Sequence, residues 1–163
     1  MMMTPLHKAW GRRGVAVLMA LAIAGLARPA PAAETAPIRF ATPLSPEEET
    51  TYTESPGTGH AEFTLDRDTL RFSWIVTFQG LTSPMTGAHI HGPQSLGSDA
   101  GILFDLAPRG APSPLKGSLV LTDGQLEYLL SGRMYVNLHT VKYKDGELRG
   151  QLKRVREKPA KRD

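Results

Sequence analysis

The fold is decided by residues 70–78, which read LRFSWIVTF. Large apolar side chains occupy every second position of this stretch and therefore share one face of an extended chain: Leu70, Phe72, Trp74, Val76 and Phe78. Alternation sustained over the whole stretch predicts a β-strand with one buried side. The preceding residues, Asp66–Thr69, have the length of a hairpin connection and lead back to a shorter alternating run at His60–Leu65.

The rest of the body repeats this pattern in short runs separated by turns. Further strands are predicted at 38–42, 86–91, 101–106, 117–121, 134–140 and 147–152. The spacing of the apolar residues changes once, near 122–131. There Thr122 and Gln125 have the spacing of a capping box, and leucines follow at helical intervals. Gly132 is well placed to end this short helix. The pattern predicts an all-β fold, an antiparallel sandwich or barrel with one short helix.

Residues 1–33 are expected to be an export signal and not part of the fold. Three basic residues precede an apolar run at 14–27, and small residues with prolines follow. This order predicts a cleavable signal peptide, cut after Ala32 or Ala33, and leads us to expect a periplasmic or extracellular protein. Because the apolar run is short for a bilayer span, we expect no stable membrane span after cleavage; a retained anchor is the alternative. The paired arginines at 12–13 leave the general secretory and twin-arginine routes both open.

The net charge of +3 at pH 7 combines three regions of different sign. Residues 1–33 carry four bases and no acids, whereas residues 153–163 carry six bases and two acids. The body at 34–152 is therefore acidic, with a net charge of −5. We expect the basic segment at 153–163 to be a disordered tail, and contact with an anionic lipid or polymer is the alternative.

Four stretches together resemble a known family. They read FSWIVTFQGL at 72–81, AHIHGP at 88–93, GRMYVNLHT at 132–140 and GELRGQ at 146–151. In this order and spacing they resemble the CHRD domain, a module first described in chordin and also found in bacterial secreted proteins. The resemblance covers roughly residues 38–152, and the segments at 43–51 and 141–145 depart from the family pattern. It implies a secreted, antiparallel Greek-key sandwich or barrel of immunoglobulin-like or superoxide-dismutase-like form, and it implies no activity.

The histidines are the one group of residues in the sequence that suggests a metal site. Alternation places His89 and His91 together on the face opposite Ala88 and Ile90, with Cα atoms about 6.7 Å apart. The same reasoning places His139 on the non-core face of its strand. If the two strands are neighbours, three imidazoles can converge, and neutral imidazole suits copper and zinc. With no cysteine in the chain, such a site would use nitrogen ligands only.

The alternative for these histidines is a structural hydrogen-bonding role. Nearby polar residues would then form a network across the last hairpin, and in a metal site they would lie behind the ligands: Tyr135, Asn137, Glu147 and Arg149. The arrangement is also loosely similar to copper–zinc superoxide dismutase, which has a His-x-His strand and a later histidine. The bridging histidine, zinc ligands and paired cysteines of that enzyme have no clear counterpart, so dismutation is not expected.

Two functions follow as expectations. In the first, the exported domain binds copper or zinc through the three histidines and is not an enzyme. In the second, it is a metal-free interaction module whose loop face at 92–100 and 142–145 contacts a protein or an envelope polymer. Motifs of serine hydrolases, phosphate-binding loops and zinc proteases are absent from the sequence. We expect no nucleic acid partner for an exported protein.

Overall fold

The computed structural model describes residues 36–156. The predicted signal peptide, with its cleavage site at Ala32 or Ala33, and the end of the tail at 157–163 lie outside the described residues. Within the described range the chain forms nine strands, one α-helix and one turn of 3-10 helix: β1 Ile38–Leu44, the 3-10 turn Pro46–Glu48, β2 Thr58–Leu65, β3 Arg71–Gln79, β4 Met85–His91, β5 Ile102–Asp105, β6 Leu115–Val120, α1 Asp123–Leu130, β7 Tyr135–Thr140, β8 Leu148–Gln151 and β9 Lys153–Arg154.

The strands form two antiparallel sheets. Sheet I has the order β6-β3-β2-β1-β9, and sheet II has the order β5-β4-β7-β8. Because the chain crosses between the sheets, β3 lies beside β6 and β4 lies beside β7, although neither pair is consecutive in sequence. The predicted all-β sandwich is confirmed, and between residues 36 and 156 the sheets do not close into a barrel.

The core between the sheets is built on the predicted face of β3. Phe72 is fully buried, stacks on Phe63 of β2 with ring centroids 4.9 Å apart, and meets Phe104 of sheet II edge to face. Trp74 is also buried, and its indole Nε1–H donates to the Leu106 carbonyl at 3.0 Å. Large aromatic side chains of this kind each bury about 150–250 Å² and contribute strongly to a small core. Leu70 lies in the turn before the strand, with a φ of 53°.

The predicted helix is present and is capped as its sequence indicated. Thr122 Oγ1 accepts from the Gln125 backbone amide at 3.3 Å, and the Gln125 side chain accepts from the Thr122 amide at 3.0 Å. Both halves of the capping box therefore satisfy amides that the first helical turn leaves unpaired. No helix within residues 36–156 has both the length and the apolar character needed to cross a bilayer.

The end of β1 meets β8 of sheet II along one side of the sandwich. Beyond β1, Ser45 exchanges two backbone hydrogen bonds with Arg149 of β8, at 3.0 and 3.1 Å. Gly150 permits this close approach, since a Cβ there would collide with the Pro43 carbonyl. Residues 153–163 were expected to be disordered, and this is wrong for Lys153 and Arg154. They form β9 against β1, because Leu152 before them is buried in the core.

Candidate metal centre

The three predicted histidines lie on adjacent strands of sheet II. In the antiparallel pairing of β4 and β7, His91 lies opposite Tyr135 and Gly87 lies opposite His139. Ring centroids are 4.8 Å apart for His89 and His139, 5.5 Å for His91 and His139, and 5.6 Å for His89 and His91. One ring nitrogen from each histidine lies within 4.8 Å of those of the other two. The predicted convergence is confirmed.

Two of the rings are oriented by backbone carbonyls. His91 Nδ1 lies 2.9 Å from the Ala100 oxygen, and His139 Nδ1 lies 2.9 Å from the Lys144 oxygen. Because a carbonyl can only accept, each Nδ1 carries the hydrogen, and each neutral ring has its lone pair on Nε2. The two Nε2 atoms lie 3.4 Å apart. Neither neutral ring can donate to the other, so the two lone pairs face one site.

The third ring is oriented by a carboxylate. His89 Nε2 lies 3.3 Å from Asp105 Oδ1, while its Nδ1 is buried and has no hydrogen-bond partner among the described residues. With the hydrogen on Nε2, the lone pair of this ring is on the buried Nδ1. A buried, unpaired ring nitrogen is costly unless a cation or another donor satisfies it.

Burial keeps all three imidazoles neutral near pH 7. Loss of hydration lowers the pKa of each ring and outweighs the opposing effect of Asp105 on His89 and of the Ala100 carbonyl on His91. For His139 the same burial lowers the pKa to about 4, against the opposing hydrogen bond to Lys144. Neutral imidazole is the form that coordinates a metal ion.

Gly87 makes room for the His89 ring. A Cβ at this position would lie 2.6 Å from His89 Cε1 and 2.7 Å from its Nε2. A larger residue at this position of β4 would therefore displace the imidazole from the cluster.

Behind the histidines lies a buried polar column. Tyr135 stacks on His91 with centroids 5.0 Å apart, and the Arg149 guanidinium carbon lies 3.7 Å from the Tyr135 centroid. Arg149 is fully buried and donates to Asp99 at 2.8 Å and to the Ser98 carbonyl. The loop at 92–100 thus covers the face that the sequence pattern placed outside the core.

The four polar residues expected near the histidines divide into two groups. Tyr135, Asn137 and Arg149 share the histidine face, and Asn137 donates to Glu49 at 3.4 Å and to the Asp145 carbonyl at 3.3 Å. Glu147 lies apart from the histidines. Its carboxylate accepts hydrogen bonds from Ser55, Thr82 and Thr140, and none of its hydrogen bonds reaches a described histidine.

The model of one protein family matches residues 40–152, and its description is CHRD domain. The chain belongs to the CHRD domain family. CHRD domains are modules of the extracellular type, and membership assigns no biochemical role. No curated protein and no solved structure matches the chain significantly.

The sequence did not reveal several residues that shape this part of the CHRD domain. Ala100 and Lys144 act through their backbone carbonyls, and a backbone contact cannot be predicted from the type of residue. Glu49 has a buried Oε1 that finds no hydrogen-bond partner among residues 36–156. Burial raises the pKa of Glu49 to about 7, against the opposing charge of Arg149. The remaining described histidine, His60, lies exposed in sheet I, 3.6 Å from Glu62.

Proposed function

We propose that this CHRD domain binds one zinc or copper ion through His89, His91 and His139, and that it binds the ion without catalysing a reaction. The observation that carries the proposal is the pair of Nε2 atoms on His91 and His139, 3.4 Å apart with both lone pairs directed into one site. Without a shared cation this arrangement places two electron-rich nitrogens face to face. A metal ion between them turns that repulsion into two bonds.

The spacing of these nitrogens favours particular ions. With metal–nitrogen bonds of about 2.0–2.1 Å, two ligands of a tetrahedral ion lie about 3.3 Å apart. A right-angled pair in a square-planar site would lie about 2.9 Å apart at the same bond length. The 3.4 Å separation therefore suits Zn(II) or Cu(I) better than square-planar Cu(II). His89 would supply the third nitrogen, since a ring nitrogen from each of the three histidines lies within 4.8 Å of the others.

The partners of the rings away from the metal position support the same proposal. Metal-bound histidines usually donate their second ring N–H to a carbonyl or carboxylate, which fixes the ring orientation. Here the acceptors are the carbonyls of Ala100 and Lys144 and the carboxylate of Asp105. A purely structural network would satisfy both nitrogens of each ring, whereas in this cluster the second nitrogen of His89 has no partner among residues 36–156.

The second part of the proposal is that the bound ion does not catalyse superoxide dismutation. A dinuclear site of the superoxide dismutase kind needs a histidine shared between two metals. Among the described residues only His60 remains for that role, and it lies in sheet I beside Glu62. Export of the protein is supported by the signal-like residues 1–33 and by the extracellular type of the family.

The test is metal content together with the nitrogen signals of the rings. The purified chain is loaded with Zn(II) or with Cu(I), dialysed and analysed for bound metal, alongside His89→Ala, His91→Ala and His139→Ala. His60→Ala is the matched control, since it removes an imidazole outside the cluster. We expect about one equivalent of metal in the wild type and in the control, and loss of tight binding in each cluster variant. Nitrogen NMR should show zinc shifting Nε2 of His91 and His139 while their Nδ1 stays protonated.

Two results would overturn the proposal. One is a wild-type chain that retains no metal after dialysis, and the other is metal bound equally by wild type and all three cluster variants. Circular dichroism of each variant separates loss of ligands from loss of fold. If no metal binds, the function must be sought in the loop face at 92–100 and 142–145, where a protein or polymer partner would be the candidate.

A further inference from the structure

A basic cleft lies between the β1–β9 edge of sheet I and the end of α1. Its volume is about 990 Å³, and none of the candidate metal ligands lines it. Among the described residues that line it are five bases and no acid: Arg39, Arg67, Lys153, Arg154 and Arg156. Arg39 and Arg67 belong to the acidic body at 34–152, and the other three bases belong to the basic segment at 153–163.

Strand pairing and one turn bring these bases close together. Arg154 lies opposite Phe40 in the pairing of β9 with β1, and the Val155 amide donates to the Arg39 carbonyl at 2.9 Å. These backbone contacts fix the last basic segment along the edge of sheet I. Arg67 reaches the same cleft from the turn between β2 and β3.

Most carbonyls at the end of α1 already have hydrogen-bond donors. Carbonyls at a helix C-terminus attract basic side chains when they lack partners. Here the Glu127 carbonyl accepts from Ser131, the Tyr128 carbonyl from the Arg133 amide, and the Leu129 carbonyl from the Gly132 amide. Other atoms thus satisfy these groups.

Four of the five cleft bases form no ion pair with a carboxylate among residues 36–156. The ion pairs there involve His60, His89 and Arg149, and none involves Arg67, Lys153, Arg154 or Arg156. Four exposed cations held in one concave surface repel each other and raise the local concentration of anions. Retaining them costs stability, which a polyanionic ligand would offset.

We propose that this cleft binds a strand of an anionic polysaccharide. A concave surface accepts a narrow polymer, whereas a bilayer surface is broad and cannot enter it. Single-stranded nucleic acids are held by stacking of bases on exposed aromatic side chains. The one aromatic residue among the described lining residues, Phe40, is buried in the core. Leu130 and Val155 are 52% and 42% exposed, and they offer aliphatic contact to the C–H faces of sugar rings.

The test compares two variants of equal charge. The full chain carrying Arg67→Gln, Arg154→Gln and Arg156→Gln together is titrated with heparin, a sulfated polysaccharide, at several salt concentrations. The matched control carries Arg71→Gln, Arg109→Gln and Lys116→Gln, which removes the same charge outside the cleft; Lys116 lies on β6, the opposite edge of sheet I. We expect the cleft variant to bind about tenfold more weakly or worse, with a salt-dependence slope shallower by about 2. The control should bind within about twofold of wild type.

Several outcomes would overturn the inference. These are absence of heparin binding by the wild type, equal weakening in both variants, or tighter binding to a single-stranded oligonucleotide or to phosphatidylglycerol vesicles than to heparin. All titrations are run in EDTA. A cleft that binds heparin under these conditions is independent of the metal proposal, so the failure of either leaves the other standing.

Discussion

The guanidinium carbon of Arg149 lies 3.7 Å from the centroid of the Tyr135 ring. Tyr135 in turn stacks on His91, so the three side chains form a column across β8, β7 and β4. Asp99 meets the buried charge at 2.8 Å from the loop at 92–100. Because this column fixes the plane of the His91 ring, the loop that covers the sheet also helps to set the geometry of a candidate metal ligand.

The first prediction concerns the ion pair at the end of this column. Asp99→Asn removes the charge that compensates Arg149, whose side chain is fully buried, although Asp99 itself is 66% exposed. We expect a loss of about 2 kcal/mol in the free energy of unfolding, because an uncompensated buried cation is costly. Glu62→Gln is the matched control, since Glu62 is equally exposed at 66% but pairs with the exposed His60. Its loss should stay below about 0.5 kcal/mol. Urea unfolding measures both, and equal losses would contradict this view of Arg149.

The second prediction concerns Glu147. Its buried carboxylate accepts hydrogen bonds from Ser55, Thr82 and Thr140, at 2.6 to 3.0 Å. Burial alone raises the pKa of Glu147, and these donors together reverse the effect, so its pKa lies below the ordinary value. Its stabilisation is therefore present near neutral pH and is lost as the pH falls through that lowered pKa.

In Glu147→Gln, an NH2 group replaces one carboxylate oxygen and cannot accept the hydrogen bonds made there. We expect a loss of about 2–4 kcal/mol in the free energy of unfolding at pH 7. Glu127→Gln on the exposed side of α1 serves as the control and should change this free energy by less than about 0.5 kcal/mol. A Glu147→Gln variant as stable as the control would show that the network is dispensable.

The alternation in the sequence correctly predicted the strands and the convergence of His89, His91 and His139. It also correctly placed Tyr135 and Asn137 away from the core between the sheets. It did not predict how fully these side chains are buried, since Tyr135 is 1% exposed and Asn137 2% exposed. A period of two distinguishes the two faces of a strand, but it contains no information on which loop covers the second face.

The contacts that orient the rings are hidden from sequence for a similar reason. The carbonyls of Ala100 and Lys144 come from irregular segments, and every residue has a carbonyl. The short strand at Lys153–Arg154 was missed because its basic composition is typical of a solvated tail. Pairing with β1 and the buried Leu152 outweigh that local tendency.

The third prediction is that the free energy of unfolding depends on pH because of Glu49. Burial raises the folded-state pKa of Glu49 to about 7, well above its ordinary value. Between the two values the folded state holds more protons than the unfolded state, so the contribution of Glu49 to stability is lost as the pH rises toward 7. We expect Glu49→Gln to gain stability relative to wild type between pH 5 and pH 8, by on the order of 2 kcal/mol.

The measurement is urea unfolding of the metal-free chain at pH 5, 6, 7 and 8. Glu47→Gln, in the same turn, is the control. A backbone hydrogen bond at Glu47 itself lowers the pKa of this exposed carboxyl, so it stays ionised throughout this range. Its difference from wild type should be flat across the series. A flat difference for Glu49→Gln as well would mean that the carboxylate is charged in the folded protein.

The last prediction tests the geometry of the cluster without removing a ligand. In Gly87→Ala the new methyl group would lie 2.6 Å from His89 Cε1, so the flexible ring must swing away while the strand keeps its pairing. Displacing one imidazole should weaken zinc binding by about tenfold or more, in line with the effect of losing an orienting contact at a metal site. Gly124→Ala is the control, because nothing lies within 4 Å of the Cβ position at Gly124. Competition with a chromophoric chelator measures both affinities, and nitrogen NMR of His91 and His139 reports whether the other two rings keep their tautomers. If Gly87→Ala binds zinc as tightly as the control while those tautomers persist, His89 is not a ligand, and the site reduces to two imidazoles.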